Sequence, residues 1–175
     1  DTLAIIVEPD VNGYALFNGL QLVQSSALSE PPVALHQLLN VDFAGSTLKT
    51  GPAAYGQGPA DLWNWYLQCG QANGALTNLA WADSTPSGVG LTVQNASGCG
   101  AFTTSDPMYS GFVYPGSSGA ITLTLTNLPP EIYDFCFYAH TATEDDSSVI
   151  ELWNGSTLLD TRGTSLWGDH TATTN

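Results

Sequence analysis

The residues of this chain best suited to chemistry are carboxylates, and one short acidic loop concentrates them. Glu144, Asp145 and Asp146 follow one another in a polar stretch. Calcium is a hard cation that takes several oxygen ligands, so we predict that any bound metal is Ca²⁺, held in part by Asp145 and Asp146. A solvated loop without metal is one alternative. The other is a set of oxygen ligands from carboxylates at predicted strand edges: Asp42, Asp61, Asp83 and Asp106.

The sequence contains no catalytic constellation. The histidines His36, His140 and His170 are scattered, and no Gly-x-Ser-x-Gly motif marks a nucleophile. No spacing selects a pair of carboxylates for glycoside hydrolysis. We therefore predict that the chain is not an enzyme and that it takes no cofactor beyond the calcium considered above.

The cysteines divide by local sequence. Cys69 and Cys99 lie beside glycines in loop-like stretches, whereas Cys136 lies inside an apolar run. An odd number of cysteines in a secreted chain allows one disulfide and one remaining thiol. We predict a disulfide between Cys69 and Cys99, and a buried thiol at Cys136 that behaves as a small hydrophobe.

Several aromatic residues raise the question of carbohydrate binding, because sugar rings stack on exposed aromatic faces. Trp65, Tyr109 and Tyr114 lie nearest to loop-like sequence and are the candidates. Packing in the core or in an interface is the alternative for these rings. Asn95 and Asn154 each begin an Asn-x-Ser sequon and are candidate glycosylation sites, although Asn154-Gly155 is also a favourable hairpin turn.

The charge balance excludes whole classes of partner. Two basic residues against sixteen acidic ones give a net charge of −14 at pH 7. Nucleic-acid binding needs lysine and arginine for phosphate contacts, and anionic membrane surfaces need the same residues. No apolar run reaches the roughly 18 residues that span a bilayer, so we predict neither nucleic-acid binding nor membrane insertion.

The hydrophobic pattern predicts an all-β protein. Two apolar segments, Leu3–Val7 and Tyr14–Val23, flank a turn signal and predict an N-terminal strand hairpin. Residues 120–125 alternate threonine with isoleucine or leucine, which is typical of a half-buried strand. Short strands separated by turn signals favour an antiparallel jelly-roll sandwich. The predicted organisation is a hairpin at 1–26, a linker at 27–40 and a sandwich body at 41–175.

Blocks of the predicted body resemble a known family. They include Val41-Asp42-Phe43, Asp61-Leu62-Trp63-Asn64, Leu79-Ala80-Trp81-Ala82-Asp83, Ile121-Thr122-Leu123 and Tyr138-Ala139-His140. These blocks are similar to extracellular jelly-roll domains of galactose-binding-like type in secreted surface proteins of planctomycete-like bacteria. The resemblance implies a jelly-roll fold and an extracellular or cell-surface location. It does not imply a catalytic site.

One strand is out of place relative to that family. A strand like Gly13–Val23 closes such domains at their C-terminus, whereas here it lies near the N-terminus and residues 156–175 are polar and rich in threonine. Three explanations stay open: a circular permutation, a unit cut from a tandem-repeat protein, or donation of the strand to a neighbouring subunit.

The third explanation predicts a structural subunit of an extracellular filament or surface array. Copies of the chain would assemble by strand exchange. The predicted assembly residues are those of the displaced strand: Tyr14, Leu16, Phe17, Leu20, Leu22 and Val23. The alternative function is a carbohydrate-binding module of a secreted surface protein, with polysaccharide as its partner.

Overall fold

Twelve β-strands and one 3₁₀ turn at Pro107–Tyr109 form the regular structure of the described residues. The computed structural model describes residues 2–10, 13–25, 38–43, 45–56, 58–101, 103–116, 119–140 and 148–164. The all-β prediction is confirmed. The strands are β1 (Leu3–Pro9), β2 (Gly19–Ser25), β3 (Leu38–Phe43), β4 (Asn64–Tyr66), β5 (Asn73–Leu76), β6 (Gly90–Gln94), β7 (Gly98–Ala101), β8 (Gly111–Tyr114), β9 (Ile121–Thr126), β10 (Ile132–Tyr138), β11 (Ser148–Asn154) and β12 (Thr157–Gly163).

The strands form two main sheets and a ribbon. The six-stranded sheet has the order β12-β11-β1-β9-β6-β5, with every neighbouring pair antiparallel. The four-stranded sheet has the order β10-β2-β3-β4 and is antiparallel except for its β3–β4 edge. Strands β7 and β8 pair with each other as a separate antiparallel ribbon.

The two main sheets share one apolar core, in the manner of a β-sandwich. Ile5 and Val7 of β1 and Leu20 and Leu22 of β2 belong to the same buried cluster. In β9, the predicted alternation is observed, with isoleucine and leucine buried and threonine partly exposed. Full burial of each such side chain stabilises the fold by about 1.5–3 kcal/mol. The jelly-roll topology itself stays a prediction.

The predicted N-terminal hairpin is wrong. Strand β1 pairs with β11 and β9, whereas β2 pairs with β10 and β3 in the other sheet. The chain crosses between the sheets just before Gly19, where the Phe17 N–H donates to the Val113 carbonyl at 3.0 Å. A two-stranded hairpin is marginal by itself. Placed at the centre of two facing sheets, β1 and β2 instead bury their apolar sets in one core.

Two predicted boundaries also differ from the structure. Strand β3 begins at Leu38, inside the predicted linker, and its first residues are buried. Strand β12 forms in the polar, threonine-rich stretch after Asn154, where no strand was expected. A two-residue turn at Gly155-Ser156 explains the second difference: Asn154 pairs with Thr157, one residue later than the predicted Asn154-Gly155 turn, and Gly155 has a φ of +58°, which glycine adopts without steric cost.

Candidate interaction surfaces

The predicted assembly residues are used by the core of their own chain, with one exception. Leu16, Phe17, Leu20 and Leu22 are at most 3% exposed within the main cluster. Val23 lies in a second, smaller cluster with Leu38 and Ala82. Tyr14 is the exception, with 54% of its surface exposed. In the described chain, β2 therefore completes its own sheet, as a permuted domain closed within one chain would.

A disulfide joins the β7–β8 ribbon to the loop after β4. Cys69 and Cys99 are bonded, with their Cα atoms 5.5 Å apart, and Cys136 is a free thiol of intermediate burial on β10. Burial, and secondarily the charge of Asp134, raises the pKa of the Cys136 thiol to about 11. Because the thiolate is the reactive form, this cysteine is poorly reactive at neutral pH.

The ribbon carries two aromatic rings that lie across glycines. Tyr114 is directly opposite Gly98, and Phe112 is directly opposite Gly100. A Cβ atom on either glycine would collide with the facing ring, so both rings need the bare backbone beneath them. The ring centroids are 6.0 Å apart, and Tyr114 is 40% exposed. The result is a partly exposed aromatic pair, which we call the ribbon platform.

The other two predicted sugar-binding residues lie elsewhere. Trp65 is opposite Asp42 in the parallel β3–β4 pair. The Tyr109 ring contacts the rings of Tyr138 and His140, each at a centroid distance of 6.2 Å. Both Trp65 and Tyr109 are half-buried. Of the three candidates, Tyr114 is therefore the exposed one, and sequence reasoning missed its neighbour Phe112.

A small acidic cluster lies close to Tyr109. The Asp42 carboxylate accepts a hydrogen bond from the Lys49 backbone N–H at 2.8 Å, and the Lys49 Nζ pairs with Asp106 at 3.1 Å. Asp42 is 1% exposed. Burial raises its pKa to about 7, and the Asp106 charge adds to the increase, whereas the Lys49 amide and ammonium groups act in the opposite direction.

The contacts of this cluster join its segments to one another. Asp106 also caps the 3₁₀ turn by accepting from the Met108 N–H. The Lys49–Asp42 contact joins a loop to β3, and the Lys49–Asp106 pair joins that loop to the 3₁₀ turn, so the geometry supports a structural role.

The segment between β3 and β4 covers the outer face of the four-stranded sheet. Buried Gln21 donates to the Asn40 side chain at 2.9 Å and to the Tyr55 carbonyl at 3.0 Å, and it accepts from the Tyr55 N–H and the Tyr138 hydroxyl. Asn40 donates to the Leu62 carbonyl at 2.9 Å. A sequence pattern would assign both polar side chains to solvent. In the structure they instead hydrogen-bond to the segment between β3 and β4 and hold it against the sheet.

The structure brings no metal site together among the residues that it describes. Asp145 and Asp146 lie outside those residues, so the predicted calcium site stays a prediction. No described group of three histidine, cysteine or acidic residues could hold a metal ion. Of the alternative carboxylates, Asp61 accepts from the Gly58 N–H and Asp83 from Thr85, both within local turns.

The two sequons differ in how available their side chains are. The Asn95 amide group donates to the Ala120 carbonyl at 2.8 Å, and the residue has a φ of +60°. A sugar on this nitrogen would compete with that hydrogen bond. Asn154 is exposed next to the β11–β12 turn, so it is the more accessible of the two candidates.

The outer edge of β12 is the most open part of the six-stranded sheet. All seven residues of β12 are exposed, and Leu158 and Leu159 are 45% and 51% exposed. Strand β11 pairs with one side of β12, and no described strand pairs with the other. An exposed edge strand is a template for pairing with another chain.

Comparisons with protein-family models, curated proteins and solved structures found no match. Within the described part of the chain, no helix is long and apolar enough to cross a membrane.

Proposed function

We propose that this chain is a structural subunit of an extracellular filament or surface array, assembled from copies of itself. The observation that carries the proposal is the open edge of β12, with its exposed leucines and its exposed backbone. Main-chain pairing at such an edge provides affinity without a specialised pocket. The disulfide supports an extracellular location, because such bonds persist in oxidising compartments.

Two modes of assembly fit this role. In strand exchange, residues 1–25 of one subunit would occupy the positions of β1 and β2 in the next. In edge addition, intact subunits would pair through β12. Both β1 and β2 already occupy central positions in their own sheets, so exchange requires both sheets to open first. Edge addition needs no such opening, and we favour it.

The strong net charge makes assembly sensitive to salt. Subunits with a charge of −14 repel one another, and salt screens that repulsion over a Debye length of about 8 Å at 0.15 M. We therefore expect larger assemblies as the salt concentration rises. Electron microscopy and sedimentation over a range of protein and salt concentrations test the proposal. A protein that stays monomeric under all these conditions contradicts it.

A cross-linking experiment separates the two modes. Ile6 and Glu151 face each other across the β1–β11 pair. The double variant Ile6→Cys/Glu151→Cys, with Cys136→Ser to remove the free thiol, is oxidised and run on a non-reducing gel. A closed chain gives a cross-linked monomer. Strand exchange gives a ladder of covalent oligomers.

Carbohydrate binding is the second candidate function, and the ribbon platform favours it. Aromatic faces with one exposed ring suit stacking against a sugar, and Tyr114 is held in place by its contact with Gly98. Affinity electrophoresis in polysaccharide gels tests this function. Tyr114→Ala should abolish any retardation, whereas Tyr14→Ala, which removes another exposed tyrosine, should not. Equal retardation of the two variants would exclude the platform as the site.

A further inference from the structure

The hydrogen bonds between β12 and β11 show which backbone groups of β12 point away from the sheet. The Thr164 N–H donates to the Ser148 carbonyl of β11 at 2.9 Å, so the backbone groups of residue 164 face β11. Hydrogen-bonding direction alternates along an antiparallel strand, and the β11–β12 register is continuous from Asp160 to Gly163. Arg162 and Asp160 therefore also direct their backbone groups to β11, whereas those of Thr161 and Gly163 point outward.

The side chains of this edge carry opposite charges at a spacing of two residues. Asp160 and Arg162 share one face of β12, opposite Leu152 and Ile150, and the Arg162 Nε donates to the Asp160 Oδ2 at 2.9 Å. Lys49 is the other basic residue of the chain, and its side chain is 11% exposed and paired. The exposed positive charge of this strongly acidic protein is therefore located on its open edge strand.

We propose that two copies of the chain pair through β12, antiparallel, around a two-fold axis at Thr161. This deepens the proposed function by naming one of its contacts. Thr161 would lie opposite Thr161 of the partner subunit as a hydrogen-bonded pair, because both direct their backbone groups outward. In the single chain the Thr161 N–H donates to the Asp160 Oδ1 at 2.9 Å, so pairing would exchange that bond for one to the partner's carbonyl as the Asp160 carboxylate turns to Arg162 of the partner subunit. Arg162 would lie opposite Asp160 of the partner subunit, in the closer, non-hydrogen-bonded type of pair.

The charges select this register over its neighbours. An axis at Asp160 or at Arg162 would set two like charges directly opposite each other, which destabilises a strand pair. Charged residues on an edge strand normally prevent pairing with a second copy. Here their alternating signs make the strand self-complementary at Thr161. The proposed register covers residues 160–162, because Leu159 is the extra residue of a β-bulge: Leu152 is opposite Asp160 and Trp153 is opposite Leu158.

A two-fold contact of this kind closes after two subunits. A filament or array then needs a second, different contact. At the opposite edge of the same sheet, the Gln68 side chain bonds to the N–H and the carbonyl of Ala75 in β5, so a strand added there would have to displace it. The β12 pair would be the building block, with the two six-stranded sheets continuous across the axis.

Complementary charge reversals test the register. In Arg162→Glu, residue 162 faces Asp160 of the partner subunit with like charge, and in Asp160→Lys, residue 160 faces Arg162 of the partner subunit with like charge. Each variant alone should lose the dimer in sedimentation velocity runs. An equimolar mixture should regain it, because both cross-strand pairs are then opposite in sign. Matching circular dichroism spectra and melting temperatures check that the variants fold.

A second measurement uses a symmetric cysteine. Thr161→Cys, made with Cys136→Ser, should oxidise to a covalent dimer, since hydrogen-bonded partners have Cα atoms about 5.5 Å apart and disulfides span that distance. Leu159→Cys in the same background is the control and should not cross-link. The proposal is overturned if the mixture stays monomeric or if Arg162→Glu dimerises like the wild type. If large assemblies persist in both single variants, self-assembly stands and this contact alone is wrong.

Discussion

The hydroxyl of Ser148 makes two hydrogen bonds with the backbone of Leu16. It accepts from the Leu16 N–H at 3.0 Å and donates to the Leu16 carbonyl at 3.2 Å. Both residues are buried. Leu16 lies in the segment that crosses from β1 to β2, and Ser148 is the first residue of β11. One side chain thus satisfies the backbone at the point where it leaves one sheet for the other.

Ser148→Ala should destabilise the fold. The change leaves the Leu16 N–H and carbonyl without this partner in a buried site, and an unsatisfied buried polar group costs about 1–3 kcal/mol. We expect urea unfolding to show a decrease of that size in the free energy of unfolding. Ser156→Ala, at the exposed β11–β12 turn, is the matched control and should change it by less than about 0.5 kcal/mol. If Ser148→Ala unfolds at the same urea concentration as the wild type, the two hydrogen bonds to Leu16 do not stabilise the fold.

Gln21 should be the critical residue for the segment that covers the four-stranded sheet. Gln21→Ala removes the hydrogen bonds to Asn40, Tyr55 and Tyr138 together. The residue is fully buried, and such losses place it among the severe substitutions, at about 3 kcal/mol or more. Tyr138→Phe, which removes the bond to Gln21 and the bond from the Ala54 N–H, should cost about 2 kcal/mol. Urea unfolding of both variants compares their losses in the free energy of unfolding. A larger loss for Tyr138→Phe than for Gln21→Ala would show that Gln21 is not the critical residue.

The disulfide should contribute strongly to stability. Cys69 and Cys99 are separated by 30 positions, and loop-closure entropy assigns roughly 3–4 kcal/mol to a bridge of that span. The variant Cys69→Ser/Cys99→Ser should lose that amount in urea unfolding. Cys136→Ser, which leaves the bridge intact, serves as the control.

Thiol labelling checks the same assignment independently. In the native protein, Cys136 should react with iodoacetamide at pH 8 far more slowly than a solvent-exposed thiol of ordinary pKa, because burial raises the pKa of Cys136 to about 11. Mass spectrometry after denaturation should find one alkylated cysteine without reductant and three with it. Three labelled thiols without reductant would rule out the bridge.

Local patterns predicted strands but not their partners. The alternation in β9 depends only on which of its faces meets the core, so Ile121, Leu123 and Leu125 were identifiable from their spacing. The partners of β1 are set by residues far away in sequence: Ile5 lies between Leu152 and Leu123. No local signal distinguishes that arrangement from a hairpin with β2. Strand β12 was missed because its seven residues are all exposed and carry no apolar alternation.

The surfaces were predictable to different degrees for physical reasons. The Cys69–Cys99 pairing was predicted from loop-like neighbours, but Cys99 lies in strand β7 and is half-buried, as is Cys136. Burial therefore does not separate these two cysteines, and the pairing depends on which loop lies beside the ribbon. Gln21 and Asn40 resemble solvent-facing residues of a half-buried sheet. They are buried because the segment that includes Tyr55 lies over them, and composition does not show where a loop folds back. The exposure of Tyr114 depends on Gly98 across the ribbon, a pairing that only the register shows.

The buried carboxyl of Asp42 should make stability depend on pH in the direction opposite to that of a paired surface acid. Burial, assisted by the Asp106 charge, raises its pKa from 3.8 to about 7, despite the opposing Lys49 amide and ammonium groups. Between these two values the folded state binds a proton that the unfolded state has released. The free energy of unfolding therefore decreases as the pH rises through this range, by up to about 4 kcal/mol. Above and below the range, the contribution of Asp42 to the free energy of unfolding does not change with pH.

The variant Asp42→Asn isolates this contribution from the general charge repulsion of an acidic protein. Asparagine keeps an oxygen that can accept from the Lys49 N–H and does not titrate. Urea unfolding of both proteins between pH 4 and pH 8 should show that the wild type loses stability relative to Asp42→Asn as the pH rises. The variant should therefore be the more stable protein at pH 8. A difference between the two that does not change with pH would show that Asp42 is ionised in the folded protein throughout this range.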